Sequence, residues 1–126
     1  MRTITTSSAP RPAGHYSQAI VHDGLVYVAG QLATDPEQPD ADPGDAATQT
    51  RRAMANVGAV LEAAGSGLER ILQATIYVTD VDHWAAVNEA YGEVMGAHRP
   101  PRAIVPIGKL KGSFLLEVQV TAAVRE

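Results

Sequence analysis

An α+β fold, one sheet carrying two helices on a single face, is the architecture this sequence predicts, and three observations predict it. Apolar residues alternate with a period of two in several short stretches, and they recur at helical spacing in two longer ones. Glycine, proline and aspartate punctuate the joins between these stretches. In chain order this gives β-β-α-β-α-β-β, with an extra N-terminal strand from Arg2 to Thr6. Helices that return to one sheet form a two-layer sandwich with it. The 126 residues make a single domain, 1–126, because a chain of that length supports one core.

The elements follow from local chemistry. Residues 7–14, with two prolines and a closing glycine, are irregular and deliver the chain to Tyr16. Ser17 to His22 and Leu25 to Ala29 flank Asp23-Gly24, a pair suited to a tight type I′ hairpin. The acidic, proline-broken stretch 34–44 is a surface loop and the part of the chain expected to move most; its carboxylates match no calcium-loop spacing. Asp45 is a good N-cap for a helix with Ala47, Met54, Val57, Leu61 and Ala64 on its apolar face and Gly65 as its stop. Ile71 to Thr79 is a strand with Leu72, Ala74, Ile76 and Val78 on one face. Asp80 or Asp82 caps a second helix whose buried stripe is Trp84, Val87, Tyr91, Val94 and Met95, ending at Gly96. On this reading Trp84 and Tyr91 are core residues.

The last two strands are the stretches around Arg102 and Glu117. Pro100-Pro101 opens the first, and Phe114 to Val120 forms the second, with Gly108 to Gly112 between them as hairpin punctuation. Pairing them through that turn sets Arg102 opposite Glu117 on one face. The pair reads either as a cross-strand salt bridge, worth little if exposed, or as a fixed guanidinium beside a carboxylate, suited to holding a small anion and directing a water at it. Glu117 shares its face with Leu115, Gln119 and Thr121, turned away from the main core. The uncharged side chains on that face call for a covering partner, so a homo-oligomer with a groove at its interface is expected.

Composition excludes several classes. The chain has no cysteine, which removes disulfides, thiol nucleophiles and Cys-based metal sites. A net charge of −4 with scattered basic residues gives no footprint for nucleic acid. No run approaches a membrane span and the N-terminus lacks an apolar leader segment, so a cytoplasmic protein is expected. His22, His83 and His98 show no paired metal-ligand spacing, so no metal is expected.

Six pieces in order then become familiar. They are Gly14-His15-Tyr16-Ser17-Gln18-Ala19, Val26-Tyr27-Val28-Ala29-Gly30-Gln31, Leu61 to Ser66, Thr79-Asp80, Val87-Asn88-Glu89-Ala90-Tyr91, and the block Pro101-Arg102-Ala103 to Leu116-Glu117-Val118. Over nearly its whole length the chain resembles the RidA (YjgF) family of reactive-intermediate deaminases. The resemblance implies a chorismate-mutase-like mixed sheet with two helices on one face, assembled as a homotrimer with clefts between subunits. It implies cofactor-free hydrolysis of 2-imino and enamine acids, of the 2-aminoacrylate/2-iminopropanoate type, to 2-keto acids and ammonia. By position, Arg102 would bind the substrate carboxylate, and Glu117 would orient water and relay protons. Gly30 and the carbonyl of Ile104 would meet the imine nitrogen, Tyr16 would line the cleft from the neighbouring subunit, and Ala29 and Asn88 fall at substrate-binding positions. This chain departs from the family pattern at Ala29 (often serine), His15 and Lys111 (often proline) and Ile104 (often cysteine), which bears on substrate choice more than on reaction type. Two other classes stay in view: a trimer that only binds small carboxylates, and a single-strand endoribonuclease or translation inhibitor, an activity the acidic balance disfavours.

Overall fold

The computed structural model describes residues 1–126. Six strands and two helices alternate along the chain: β1 (Arg2–Ile4), β2 (Ala19–His22), β3 (Leu25–Val28), α1 (Ala46–Ala63), β4 (Ile71–Val78), α2 (Trp84–Met95), β5 (Arg102–Pro106) and β6 (Leu116–Ala123). The strands form one sheet in the order β1-β2-β3-β6-β4-β5. All neighbours are antiparallel except β4 and β5, which run parallel with α2 as their crossover. The predicted fold class, including the extra strand at the N-terminus, is the observed one.

Both helices cover one face, and the core lies between them and the sheet. Val26, Val28, Ala74, Ile76, Val78, Leu116, Val118, Val120 and Ala122 point into it from the strands, opposite Met54, Val57, Val60 and Leu61 of α1 and Val87 of α2. Asp45 caps α1 by accepting a hydrogen bond from the Thr48 amide at 2.9 Å, and this bond holds its carboxyl below the ordinary carboxylate range. The helix ends in a Schellman pattern, with the Ser66 amide donating to the Leu61 carbonyl and the Gly65 amide to the Glu62 carbonyl. Between β2 and β3, Asp23 and Gly24 both take positive φ, as a type I′ turn demands.

Three expectations need correction. The first is the hairpin of the last two strands: β4 lies between β5 and β6, so Gly108 to Gly112 joins strands that do not pair. Turn residues mark a reversal of the chain without stating which strand lies beside which. The crossover through α2 places β5 on the far side of β4. The second is Leu72. The β4 register slips between Ile71 and Gln73, and this bulge turns Leu72 out of the core, leaving it 48% exposed. The third is Trp84, which sits on an apolar helical stripe yet is 44% exposed at the start of α2. In α1 Ala47 is half-buried, and the deepest positions include Gln49, Thr50 and Asn56, polar side chains that bond to backbone. No helix is long and apolar enough to cross a membrane.

Candidate functional site

The expected site residues fall into two groups on opposite faces of the sheet. Arg102 is the register partner of Ala74 in the parallel β4–β5 pair, and Ala74 faces the helices, so Arg102 does too. Glu117 is the register partner of Tyr77, between the buried positions Ile76 and Val78, and points to the other face. Within one chain the arginine and the glutamate therefore do not stand side by side, and the expected cross-strand pair is absent.

Arg102 reaches under α2. Its Nη1 donates to Asn88 Oδ1 at 2.9 Å, and its guanidinium carbon lies 5.0 Å from the ring centre of Tyr91 and 5.8 Å from that of Trp84. Positions 84, 88 and 91 follow i, i+4, i+7 and share one helix face, which explains the cradle. No carboxylate of the chain pairs with Arg102; the ion pairs involve His22, Arg51 and Arg125 instead. Burial pushes the Tyr91 hydroxyl up from its ordinary pKa, a shift the nearby Arg102 charge opposes.

Ile104 lies two residues along the same strand, on the helix side beside Ile76. Pro101 and Ile107 make their backbone bonds inward, to Ala74 and Val78. By the two-residue alternation of a parallel strand, the Ile104 carbonyl then points out from the sheet edge, unpaired by β4. Pro106 sits on the same outward parity, where its missing N–H costs no ladder bond.

The second group surrounds a cleft of about 1140 Å³. Its lining includes Tyr16, Ala29, Gly30 and Glu117, together with the loops 34–43 and 111–114. Gly30 meets Glu117 so closely that a Cβ at position 30 would overlap the carboxylate and lie 2.8 Å from Cδ. This absence of a side chain lets Glu117 lie across the Gly30 backbone. The following residue, Gln31, exchanges two backbone bonds with Val118, at 2.7 and 2.9 Å, and so fixes this segment against β6. Tyr16 is half exposed, its hydroxyl accepting from the Ala13 amide at 3.2 Å.

Buried amides build the cleft walls. Gln18 bonds Thr6 at both amide and carbonyl, at 2.7 and 3.0 Å, and Pro10 at 3.0 Å, tying the N-terminal segment to β2. From α1, Asn56 donates to the carbonyls of Leu32 and Thr34, while Gln49 donates to those of Gly44 and Ser113 and accepts from the Leu115 amide. The acidic loop is thus anchored at both ends and forms part of the cleft wall beside Glu117. Gln49 and Asn56 escaped the sequence reading because buried polar residues on a helix look like gaps in its apolar stripe. Trp84 and Tyr91 were both assigned to the core, which holds for Tyr91 and not for Trp84, and neither was read as facing Arg102.

A two-layer α+β domain with this six-stranded sheet and two helices on one face is the build of the RidA/L-PSP proteins. The crystal structure of RidA from an Antarctic Psychrobacter superposes with a TM-score of 0.93 at 31% identity, covering 98% of this chain and 100% of that one. The chain belongs to the Endoribonuclease L-PSP family, whose model matches residues 6–124. Among relatives, a RutC family protein of Pyrococcus horikoshii is 38% identical over 119 residues, 94% of each chain. A 2-iminobutanoate/2-iminopropanoate deaminase of Capra hircus is 32% identical over 121 residues, 96% of this chain and 88% of that protein.

Proposed function

We propose that the protein is a cytoplasmic imine/enamine deaminase that hydrolyses small 2-imino acids to 2-keto acids and ammonia, with its sites completed between subunits of a homotrimer. The observation that carries this reading is Arg102, an arginine held in place with no carboxylate of its own chain to neutralise it. A planar guanidinium so held matches two carboxylate oxygens, as a lysine would not. The family membership and the deaminases among the relatives support the same chemistry.

In this reading the substrate carboxylate binds Arg102, with Asn88 as its neighbour. The imine carbon then lies by the edge carbonyl of Ile104, which accepts from the imine N–H. Glu117 of an adjoining subunit takes a proton from water as the oxygen adds to the C=N carbon. The resulting carbinolamine receives that proton on nitrogen; the C–N bond then breaks as the C=O forms, the hydroxyl proton passing to the Glu117 carboxylate and from there to the departing ammonia. A protonated imine is already electrophilic, so positioning and one activated water are sufficient. Gly30 leaves room for the carboxylate, and Tyr16 and Ala29 border the substrate on the Glu117 side.

The test is keto-acid release from 2-iminopropanoate or 2-iminobutanoate generated in situ by an amino-acid oxidase. Wild type is expected to accelerate release, Arg102→Ala to fall to the spontaneous rate, and Glu117→Gln to lose turnover by roughly 100-fold or more while still binding a keto acid, the usual scale of a lost acid–base group. No acceleration with several imino acids would refute the reading. Retained carboxylate binding would then leave a binding trimer, and salt-dependent cleavage of single-stranded RNA would favour the nuclease the family's name describes.

A further inference from the structure

We propose that Trp84 and Tyr91 are positioning residues that hold Arg102 in place yet unpaired, so that its free donors are kept for an incoming carboxylate. The inference rests on the proposed site but concerns residues outside it. Arg102 projects from an edge strand, and an edge side chain without a partner would sample many rotamers. Here only Nη1 has a hydrogen bond, to the neutral Asn88 Oδ1. The remaining restraint comes from two ring faces, at 5.0 and 5.8 Å. A ring face attracts the cation through its quadrupole and makes no claim on the N–H donors.

A carboxylate in place of Asn88 or either ring would hold the arginine more firmly, but it would occupy the donors and cancel the charge. The aromatic pair avoids that competition. The two rings also differ in burial: Tyr91 is 6% exposed and Trp84 is 44% exposed. Tyr91 is the floor fixed in the core, and Trp84 the outer wall that a ligand on Arg102 would approach. The Tyr91 hydroxyl makes no hydrogen bond within the chain, and it is the ring that faces Arg102.

Trp84 is the only tryptophan, so its fluorescence reports on this site directly. Titration of the whole protein with 2-oxobutanoate is expected to change that emission saturably in wild type and not in Arg102→Ala. In steady-state assays, Trp84→Leu should raise KM roughly fivefold with kcat within about twofold, the pattern of lost ground-state binding, and Trp84→Phe should restore it. Tyr91→Phe, which keeps the ring face, should raise KM less than Tyr91→Leu does. Asn88→Asp, which supplies a carboxylate to Arg102 within the chain, should raise KM more than Asn88→Ala does.

The proposal is overturned if Trp84→Leu keeps the wild-type KM, if Phe fails to rescue it, or if calorimetry finds 2-oxobutanoate bound while Trp84 emission stays constant. Absence of any binding to wild type also overturns it. Should wild type release no keto acid, the deaminase reading fails alone, because the emission titration with Arg102→Ala and the affinities of the Trp84 variants for 2-oxobutanoate still decide the role of the rings.

Discussion

At residue scale, Gly30 and Glu117 make the sharpest test of local geometry. A methyl group at position 30 would occupy the space of the Glu117 carboxylate. Only the end of the flexible Glu117 side chain is in the way and it can swing aside, so Gly30→Ala should fold and keep its melting temperature within a few degrees. Turnover should fall, because the displaced carboxylate no longer meets the water it activates, and a displacement of about 1 Å can cost roughly 100-fold. Circular dichroism and the keto-acid assay together check this; unchanged turnover would remove Glu117 from the chemistry. The sequence singled out Arg102 and Glu117 as two charged residues on otherwise apolar strands, and Gly30 through the family resemblance. That Arg102 lies under two rings was not legible, because an apolar residue on a helical stripe reads as core whether it meets Leu or a cation.

At the scale of elements, α1 does more than cover the sheet. Gln49 is fully buried and ties together Gly44, Ser113 and Leu115, three points on two loops that border the cleft. Gln49→Met keeps the length and removes the bonds, stranding two carbonyls and an amide. At roughly 1–3 kcal/mol for a deserted buried group, with water recovering part of it, stability should fall by about 2–4 kcal/mol. Urea unfolding measures that loss, and hydrogen exchange should show faster opening at Leu115 than at Val57. A wild-type urea midpoint would mean the amide is dispensable. The helices, the Asp45 cap of α1 and the Asp23-Gly24 hairpin were readable because each depends on neighbours within a few residues. The expected aspartate cap of α2 was not found, because Asp80 caps the 3-10 turn Val81–His83 that leads into it and His83 at the helix start makes no side-chain cap bond. The pairing of β5 and β6 was misread because strand adjacency depends on where α2 carries the chain, and no residue in Gly108 to Gly112 encodes that. The bulge at Leu72 is of the same kind: alternation gives the faces of a regular strand, and a slipped register breaks it.

At the scale of the whole molecule, the proposed deaminase site requires an assembly, because its two halves lie apart within one chain. Arg102 with Asn88 lies on the helix side of an edge strand, and Glu117 with Gly30 lies on the opposite face, beyond β4. That open face carries Tyr27, 49% exposed, with Thr75, Tyr77 and Gln119 around it, uncharged side chains that a neighbouring subunit could cover. If the β5 edge of one subunit meets the cleft of the next, the contact is heterologous, a ring forms where the rotation closes, and every site takes its arginine and its glutamate from different chains. Two inactive variants then complement each other. Arg102→Ala and Glu117→Gln, each inactive alone, are unfolded together, refolded as a mixture and assayed. With random association, a site works only where a chain with intact Arg102 meets a chain with intact Glu117, which recovers roughly one quarter of the wild-type rate per subunit in a cyclic oligomer. Separately refolded variants mixed afterwards should stay inactive if exchange is slow, and sedimentation velocity should find oligomers in every sample. If the co-refolded mixture stays at background while remaining oligomeric, both residues serve sites within one chain. The two faces of the sheet would then have to be bridged by a movement of β5 far larger than its parallel ladder to β4 permits.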